Sequence, residues 1–93
     1  PYTVRPELLT ALQEWATGEG LPSTIDVAES PAEVELVATG SGPFGEMFAR
    51  RGIRWAIPGV SPVSYLDTCR AFGPNVLAVH CVHTSEEDIA ILK

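Results

Sequence analysis

Acidic and imidazole side chains follow two apolar segments of this 93-residue chain. Asp26 and Glu29 lie at the end of the first segment, and His80 and His83 lie at the end of the second. Carboxylates and imidazoles are the side chains that most often exchange protons with a substrate. If both segments are parallel β-strands, their carboxyl ends share the edge of the sheet at which α/β proteins bind ligands. The four residues therefore form a candidate site facing one pocket.

Each of these residues also has a structural explanation that the sequence leaves open. A histidine inside an apolar segment, such as His80, is more often satisfied by one backbone carbonyl than catalytic. Glu29 could be a surface acid near the start of a helix, where the helix dipole favours negative charge. Asp26 lies between two apolar residues, and an unpaired carboxylate would be costly to bury there. His83 is interpreted as a loop residue at the entrance to a helix.

Alternating helix and strand patterns position these residues. Apolar residues at helical spacing, prolines at first helical positions and terminal glycines predict five helices, over residues 6–17, 31–39, 43–51, 61–72 and 85–93. Strands are predicted at 23–28 and 76–82, with a loop at 53–60. Ser30 and Glu33 have the spacing of a capping box, and residues 84–88 predict a second capped helix start.

Strands separated by helices predict an α/β fold with parallel pairing, in the order helix, strand, helix, helix, helix, strand, helix. The nearly continuous apolar run at 76–82 is typical of a strand buried on both faces. A sheet of two parallel strands is marginal on its own, and the chain begins and ends within helix-forming pattern. We therefore expect residues 1–93 to form a single partial domain.

Charge and cysteine usage narrow the classes of partner. Asp and Glu number 12 against 6 Lys and Arg, which argues against a nucleic-acid partner. No apolar run approaches the roughly 20 residues that span a bilayer, so no membrane partner is expected. Cys69 and Cys81 lie in apolar segments and outside any CxxC motif. They predict reduced core residues of a cytoplasmic protein.

Three segments carry a more specific pattern, namely residues 26–35 (DVAESPAEVE), 40–44 (GSGPF) and 77–83 (LAVHCVH). Together they resemble the amidohydrolase superfamily, and in particular its deaminase and chlorohydrolase branch, which includes enzymes acting on adenosine-like compounds such as aminodeoxyfutalosine. Residues 1–4 (PYTV) resemble the end of the His-x-Pro-Tyr segment of that family. Because these enzymes are (β/α)8 barrels of the TIM type, the resemblance implies a fragment that covers about strands five and six of such a barrel.

The resemblance also implies roles for individual residues. Glu29 matches the glutamate of the family's His-x-x-Glu motif, which shuttles protons. His80 matches the sixth-strand histidine, which positions or polarises the hydrolytic water. Asp26 stands where the family has a metal-binding histidine, and a carboxylate can also bind zinc or iron. The family's remaining ligands, a His-x-His pair on the first strand and an aspartate on the eighth, have no counterpart in these 93 residues.

By resemblance, the complete protein is expected to be a metal-dependent hydrolase that attacks a carbon–nitrogen bond of a small heterocyclic substrate. Zinc or iron would be its cofactor. Whether this chain alone binds a metal stays open, and it is expected to be inactive, because most of the ligands are missing. One alternative is a non-catalytic α/β module that forms a homo-oligomer through its exposed strand edges. Another alternative is an inactive relative of these enzymes.

Overall fold

The computed structural model of the chain describes residues 2–93 as an α/β structure with seven elements. In chain order these are α1 Pro6–Gly18, β1 Ser23–Val27, α2 Pro31–Thr39, α3 Gly42–Arg50, α4 Pro62–Thr68, β2 Val76–His80 and α5 Glu86–Leu92. Residues 53–60 form the predicted loop. Helix α4 ends earlier than predicted, and Arg70, shortly after its end, has a left-handed φ of 56° that no α-helix accommodates.

The two strands pair in parallel, as predicted from the helices between them. Ser23 lies opposite Val76 and Val27 lies opposite His80, so the carboxyl ends of both strands reach the same edge. The prediction that β2 is buried on both faces is wrong for the described residues. Leu77 is 63% exposed, because none of the elements in residues 2–93 covers that face of the sheet.

Side-chain caps begin several of the helices. Ser85 and Asp88 form the reciprocal capping box at the start of α5, with bonds of 3.0 and 3.1 Å. At α2 the predicted capping box is only half formed. The Ser30 hydroxyl accepts from the Glu33 N–H at 3.3 Å, but the Glu33 carboxylate does not accept from the Ser30 N–H to complete the box.

The hydrophobic core lies between β1 and the helices α2 and α4. Fully burying a large aliphatic side chain contributes about 1.5–3 kcal/mol, so this cluster is the main source of stability. Both cysteines are free thiols; Cys69 lies within the cluster and Cys81 packs against its edge. The cluster consists of Val27, Ala28, Val37, Val63, Tyr65, Leu66, Cys69 and Ala71.

Much of the apolar stripe of α1 is exposed. Leu8 and Leu12 are each 51% exposed and Trp15 is 60% exposed, whereas Ala16 is buried. A surface cavity of about 540 Å³ lies between this helix and β1 and is lined by Leu12, Trp15 and Ile25 among others. Within residues 2–93, no helix has the length and apolar character needed to cross a membrane.

Candidate functional site

The candidate site lies where the two strands end side by side. Asp26 is the next-to-last residue of β1, and His80 is the last residue of β2. Glu29 is the second residue after the end of β1. One donor atom from each of the three side chains lies within 4.8 Å of the other two. The structure therefore brings together Asp26, Glu29 and His80, three of the four residues that the sequence singled out.

The imidazole of His80 lies nearest to both carboxylates. Its Nε2 atom is 3.7 Å from Glu29 Oε1 and 3.9 Å from Asp26 Oδ1, which is longer than a hydrogen bond. The side chain of His80 is 35% exposed, and those of Asp26 and Glu29 are 63% and 58% exposed. His80 is thus not a histidine buried in the core, and neither carboxylate bears the cost of burial. A water molecule or an ion can reach all three.

Unusual backbone conformations hold the two strand ends together. Ala28, His80 and Cys81 all have left-handed φ angles, of 54°, 74° and 52°. Such angles cost about 1–3 kcal/mol each in residues other than glycine and are often found at functional sites. They end the strands earlier than predicted. The Cys81 N–H donates to the Val27 carbonyl at 3.0 Å, so the main chains stay bonded beyond the sheet.

His83 lies outside the cluster. It is exposed in the segment between β2 and α5, where the sequence predicted a loop residue. Its N–H and that of Val82 donate to the Ala28 carbonyl at 3.0 and 3.1 Å. The contribution of His83 to the site is therefore made by its backbone.

The three clustered side chains are of types that bind divalent metal ions, and together they form a candidate metal site. Zinc binds imidazole nitrogen and carboxylate oxygen at about 2.0–2.2 Å, so two ligand atoms on one ion lie roughly 3–4 Å apart. The separations of 3.7 and 3.9 Å around His80 Nε2 match that spacing. Mixed oxygen and nitrogen donors suit zinc or iron. Asp26, Glu29 and His80 form the candidate set, and their exposed side leaves room for further ligands.

Glu33 is a residue near the site that the sequence analysis assigned only to helix capping. It is 3% exposed, and its Oε2 atom has no hydrogen-bond partner in the described part of the chain. Burial raises the pKa of its carboxyl group, and hydrogen bonding to the backbone of Ala28 and Glu29 counteracts that rise. The only sequence signal for Glu33 is its spacing from Ser30, and helix capping is the commoner explanation of that spacing.

Tyr2 lies close to the carboxylates of Glu33 and Glu29. Its ring stacks on Phe44 with 5.1 Å between the centroids. Burial raises the pKa of its hydroxyl, and the negative charges of Glu33 and Glu29 raise it further. A neutral tyrosine beside two carboxylates is a hydrogen-bond donor. Of the segment that resembled the family's His-x-Pro-Tyr motif, Pro1 lies outside the described residues, and Tyr2 lies near Glu33 and Glu29.

Three proteins illustrate what this chain is similar to. It is 36% identical to the aminodeoxyfutalosine deaminase of Deinococcus radiodurans, with 97% of the chain aligned. It is 38% identical to a 5-methylthioadenosine/S-adenosylhomocysteine deaminase of Pelotomaculum thermopropionicum and 34% identical to a 5'-deoxyadenosine deaminase of Methanopyrus kandleri, with 99% of the chain aligned in each case. A scan against models of protein families found no match.

The resemblance inferred from the sequence is confirmed by these similarities. The chain belongs to the amidohydrolase superfamily, and within it to the branch of the deaminases. It spans 24% of the length of the Deinococcus radiodurans enzyme and 17% of the length of the other two. The similarity therefore concerns one segment of these enzymes.

Proposed function

We propose that this chain is a segment of a metal-dependent hydrolase that deaminates an adenosine-type heterocycle. It would form a partial domain, residues 1–93, that contributes about strands five and six to a (β/α)8 barrel. The observation that carries the proposal is the meeting of Glu29 and His80 at the ends of parallel strands, 3.7 Å apart, in a chain similar to deaminases along its whole length.

In this proposal each clustered side chain has its own role. Asp26 would hold the divalent ion, zinc or iron, together with ligands from other parts of the barrel. When bound, the ion supplies Lewis-acid activation of water near neutral pH. Glu29 takes a proton from the attacking water through its carboxylate and delivers it to the leaving amine. His80 orients the water through Nε2, which lies beside Oε1 of Glu29.

A second candidate is a non-catalytic module that self-associates. It is supported by the uncovered face of β2 at Leu77 and by the exposed stripe on α1 that contains Trp15. Both are apolar surfaces of the kind that mediate association. Light scattering after size exclusion separates the candidates, because a discrete oligomer formed without metal favours the module and open-ended aggregation favours a segment of a barrel. An inactive relative is the third candidate.

A chimeric enzyme tests the catalytic proposal directly. The aligned segment of the Deinococcus radiodurans aminodeoxyfutalosine deaminase is replaced by residues 1–93, and ammonia release from aminodeoxyfutalosine is measured. We expect Glu29→Gln to lower turnover at least about 100-fold, because the amide cannot carry a proton. Glu46→Gln is the control, since Glu46 is an exposed acid on α3. Equal activity of the two variants would rule out the role of Glu29.

A further inference from the structure

Asp88 is a buried acid whose two carboxylate oxygens are both hydrogen-bonded. It is 3% exposed, and its Oδ2 atom accepts the N–H of Ser85 at 3.0 Å within the capping box of α5. Its Oδ1 atom accepts the hydroxyl of Ser61 at 2.5 Å, although Ser61 lies 27 residues earlier in the chain. A capping box needs only the first of these two bonds. The bond to Ser61 is therefore not explained by the start of α5.

The Ser61 hydroxyl serves two helices at once. Its oxygen accepts the N–H of Ser64 at 3.1 Å and so caps α4, while its single proton is donated to Asp88. A hydroxyl-to-carboxylate bond of this length is charge-assisted and about twice as strong as a neutral one. Because Asp88 is buried, losing this donor would leave one of its oxygens without a partner. The bond between Ser61 and Asp88 thus joins the starts of α4 and α5.

Helix α4 is the firmly held side of this connection. Its residues Val63 and Leu66 are fully buried and belong to the hydrophobic core. Helix α5 is held less firmly, because Asp88 is the only buried residue of this described helix and Ile89 is 46% exposed. We therefore expect the start of α5 to keep its position mainly through Asp88.

The segment between β2 and α5 is hydrogen-bonded at both of its ends. At the end near β2, the N–H groups of Val82 and His83 donate to the Ala28 carbonyl at 3.1 and 3.0 Å. At the end near α5, the N–H of Ser85 donates to Asp88. Because the segment is short, a shift of its α5 end would stretch the two bonds to Ala28.

The end of β2 needs such support because its backbone is strained. His80 and Cys81 have left-handed φ angles of 74° and 52°, which residues other than glycine keep only where surrounding contacts impose them. The Cys81 N–H donates to the Val27 carbonyl at 3.0 Å, and the Cys81 carbonyl accepts the Thr84 hydroxyl at 3.3 Å. The conformation of His80 therefore depends on a segment whose far end is held by Asp88.

We propose that Asp88 is a positioning residue, which fixes the segment after β2 and so keeps the imidazole of His80 beside Glu29. The inference rests on the proposed function, in which His80 orients the attacking water. Without a carboxylate at position 88, the segment loses its anchor at α5, and the left-handed conformation of His80 relaxes toward an extended one. Asp88 itself touches neither substrate nor metal in this assignment.

Amide hydrogen exchange on the 93-residue chain, followed by NMR, tests this proposal. Asp88→Ala removes both acceptors, whereas Asp88→Asn keeps an oxygen for the N–H of Ser85 and offers an amide N–H to the oxygen of Ser61. We expect the amides of Val82 and His83 to exchange about tenfold faster in Asp88→Ala, as after the loss of one hydrogen bond to a charged group. In Asp88→Asn their exchange is expected to stay close to the wild-type rate.

Variants of Ser61 separate the bond between the helices from the capping of each helix. Ser61→Asp still accepts the N–H of Ser64, because aspartate is a good N-cap, but it has no proton for Asp88 and repels it. We expect it to accelerate exchange at Val82 and His83, although α5 keeps its own capping box. The double variant Ser61→Asp, Asp88→Asn pairs the new carboxylate with an amide donor and is expected to restore the wild-type rate.

Two controls separate positioning from general destabilisation. The amide of Val37 in α2 reports global unfolding, because Val37 is fully buried in the core. Acceleration at the two amides after β2 is expected to exceed any acceleration at Val37. Glu87→Ala removes the exposed acid next to Asp88 and is expected to change none of the three amides. Equal acceleration of all three amides in Asp88→Ala would overturn the proposal, and so would wild-type exchange in Ser61→Asp.

A second readout follows the side chains of the site. Nuclear Overhauser contacts between the Glu29 side chain and the His80 ring are expected in the wild type and in Asp88→Asn, and are expected to be lost in Asp88→Ala. Neither measurement needs metal or turnover. An inactive chimera with intact contacts would therefore count against the proposed function alone, whereas contacts that persist in Asp88→Ala would count against the role of Asp88 alone.

Discussion

By the resemblance, Asp26 stands where these enzymes are expected to have a metal-binding histidine. The structure places its carboxylate 3.9 Å from His80, which is a suitable distance for sharing an ion. A carboxylate ligand adds negative charge to the coordination sphere, and this weakens the ion as a Lewis acid. Its side chain is also shorter than that of histidine, so an ion held there lies closer to β1. Both effects act on the water that, in the proposed function, Glu29 deprotonates and His80 orients.

The variant Asp26→His measures this effect. In the chimeric enzyme we expect it to raise turnover roughly tenfold, equivalent to about 1.4 kcal/mol, because a neutral imidazole leaves the ion more electrophilic. Ammonia release is the readout. The control is Asp67→His, because Asp67 is an exposed acid near the end of α4. Unchanged or lower turnover in Asp26→His would show that Asp26 does not occupy the position of a metal ligand.

Tyr65 allows a pH prediction in the core. Burial raises the pKa of its hydroxyl from 10.0 to about 12, with further contributions from Cys69. The folded chain holds this proton more tightly than the unfolded chain, so the stabilisation is complete below pH 10.0 and is lost as the pH rises toward about 12. Ultraviolet titration of the phenolate is expected to show this late ionisation. The late phase should be missing in Tyr65→Phe, and a wild-type Tyr65 that titrates at 10.0 would contradict the prediction.

At the scale of the elements, close packing between α3 and the end of α2 constrains Gly45. A Cβ atom there would overlap the carbonyl of Gly40, which is backbone and cannot move aside easily. Gly18 at the end of α1 offers the opposite case, since a Cβ atom there would meet nothing within 4 Å. The two glycines therefore form a matched pair.

We expect Gly45→Ala to lower the free energy of unfolding by about 1–3 kcal/mol, because the added methyl group forces α2 and α3 apart. Gly18→Ala is expected to be neutral or to stabilise by up to about 1 kcal/mol, since alanine restricts the unfolded chain. Urea denaturation measures both. Equal stability of the two variants would show that α3 can shift without cost.

The elements were largely predictable because their signals are local. Proline at the first helical positions and serine caps set the helix starts, and intervening helices implied parallel strands. The strand ends were not predictable in the same way. Left-handed φ angles at Ala28, His80 and Cys81 have no signal in residue type, because glycine and asparagine are the usual residues there. Glu33 was predicted to be a capping residue, since spacing alone does not show that its side chain is buried.

At the scale of the whole molecule, several large apolar side chains of the described residues are exposed. Leu12 and Trp15 on α1, with Leu77 on β2, are all at least half exposed. Exposure of these particular side chains was not predicted, because a sequence shows which residues are apolar but not which of them other elements cover. The proposal that this chain is a segment of a barrel predicts such surface, because other strands and helices would pack against it.

We expect the isolated chain to self-associate through α1. The double variant Leu12→Lys and Trp15→Lys is expected to weaken association at least roughly tenfold, because it replaces two apolar contacts with charges. Size exclusion with light scattering over a range of concentrations is the measurement. Glu14→Lys, an exposed position on the same helix, is the control for added charge. A wild-type chain that stays monomeric at every concentration would contradict this prediction.

The Ala28 carbonyl, which accepts the two N–H groups of Val82 and His83, has a consequence for how this segment can vary. Peptide groups make these bonds, so many different side chains at either donor position leave the separation of Glu29 from His80 intact. Adding or deleting one residue after His80 would instead bring the wrong amides to that carbonyl. The segment after His80 should therefore tolerate substitutions but not insertions or deletions.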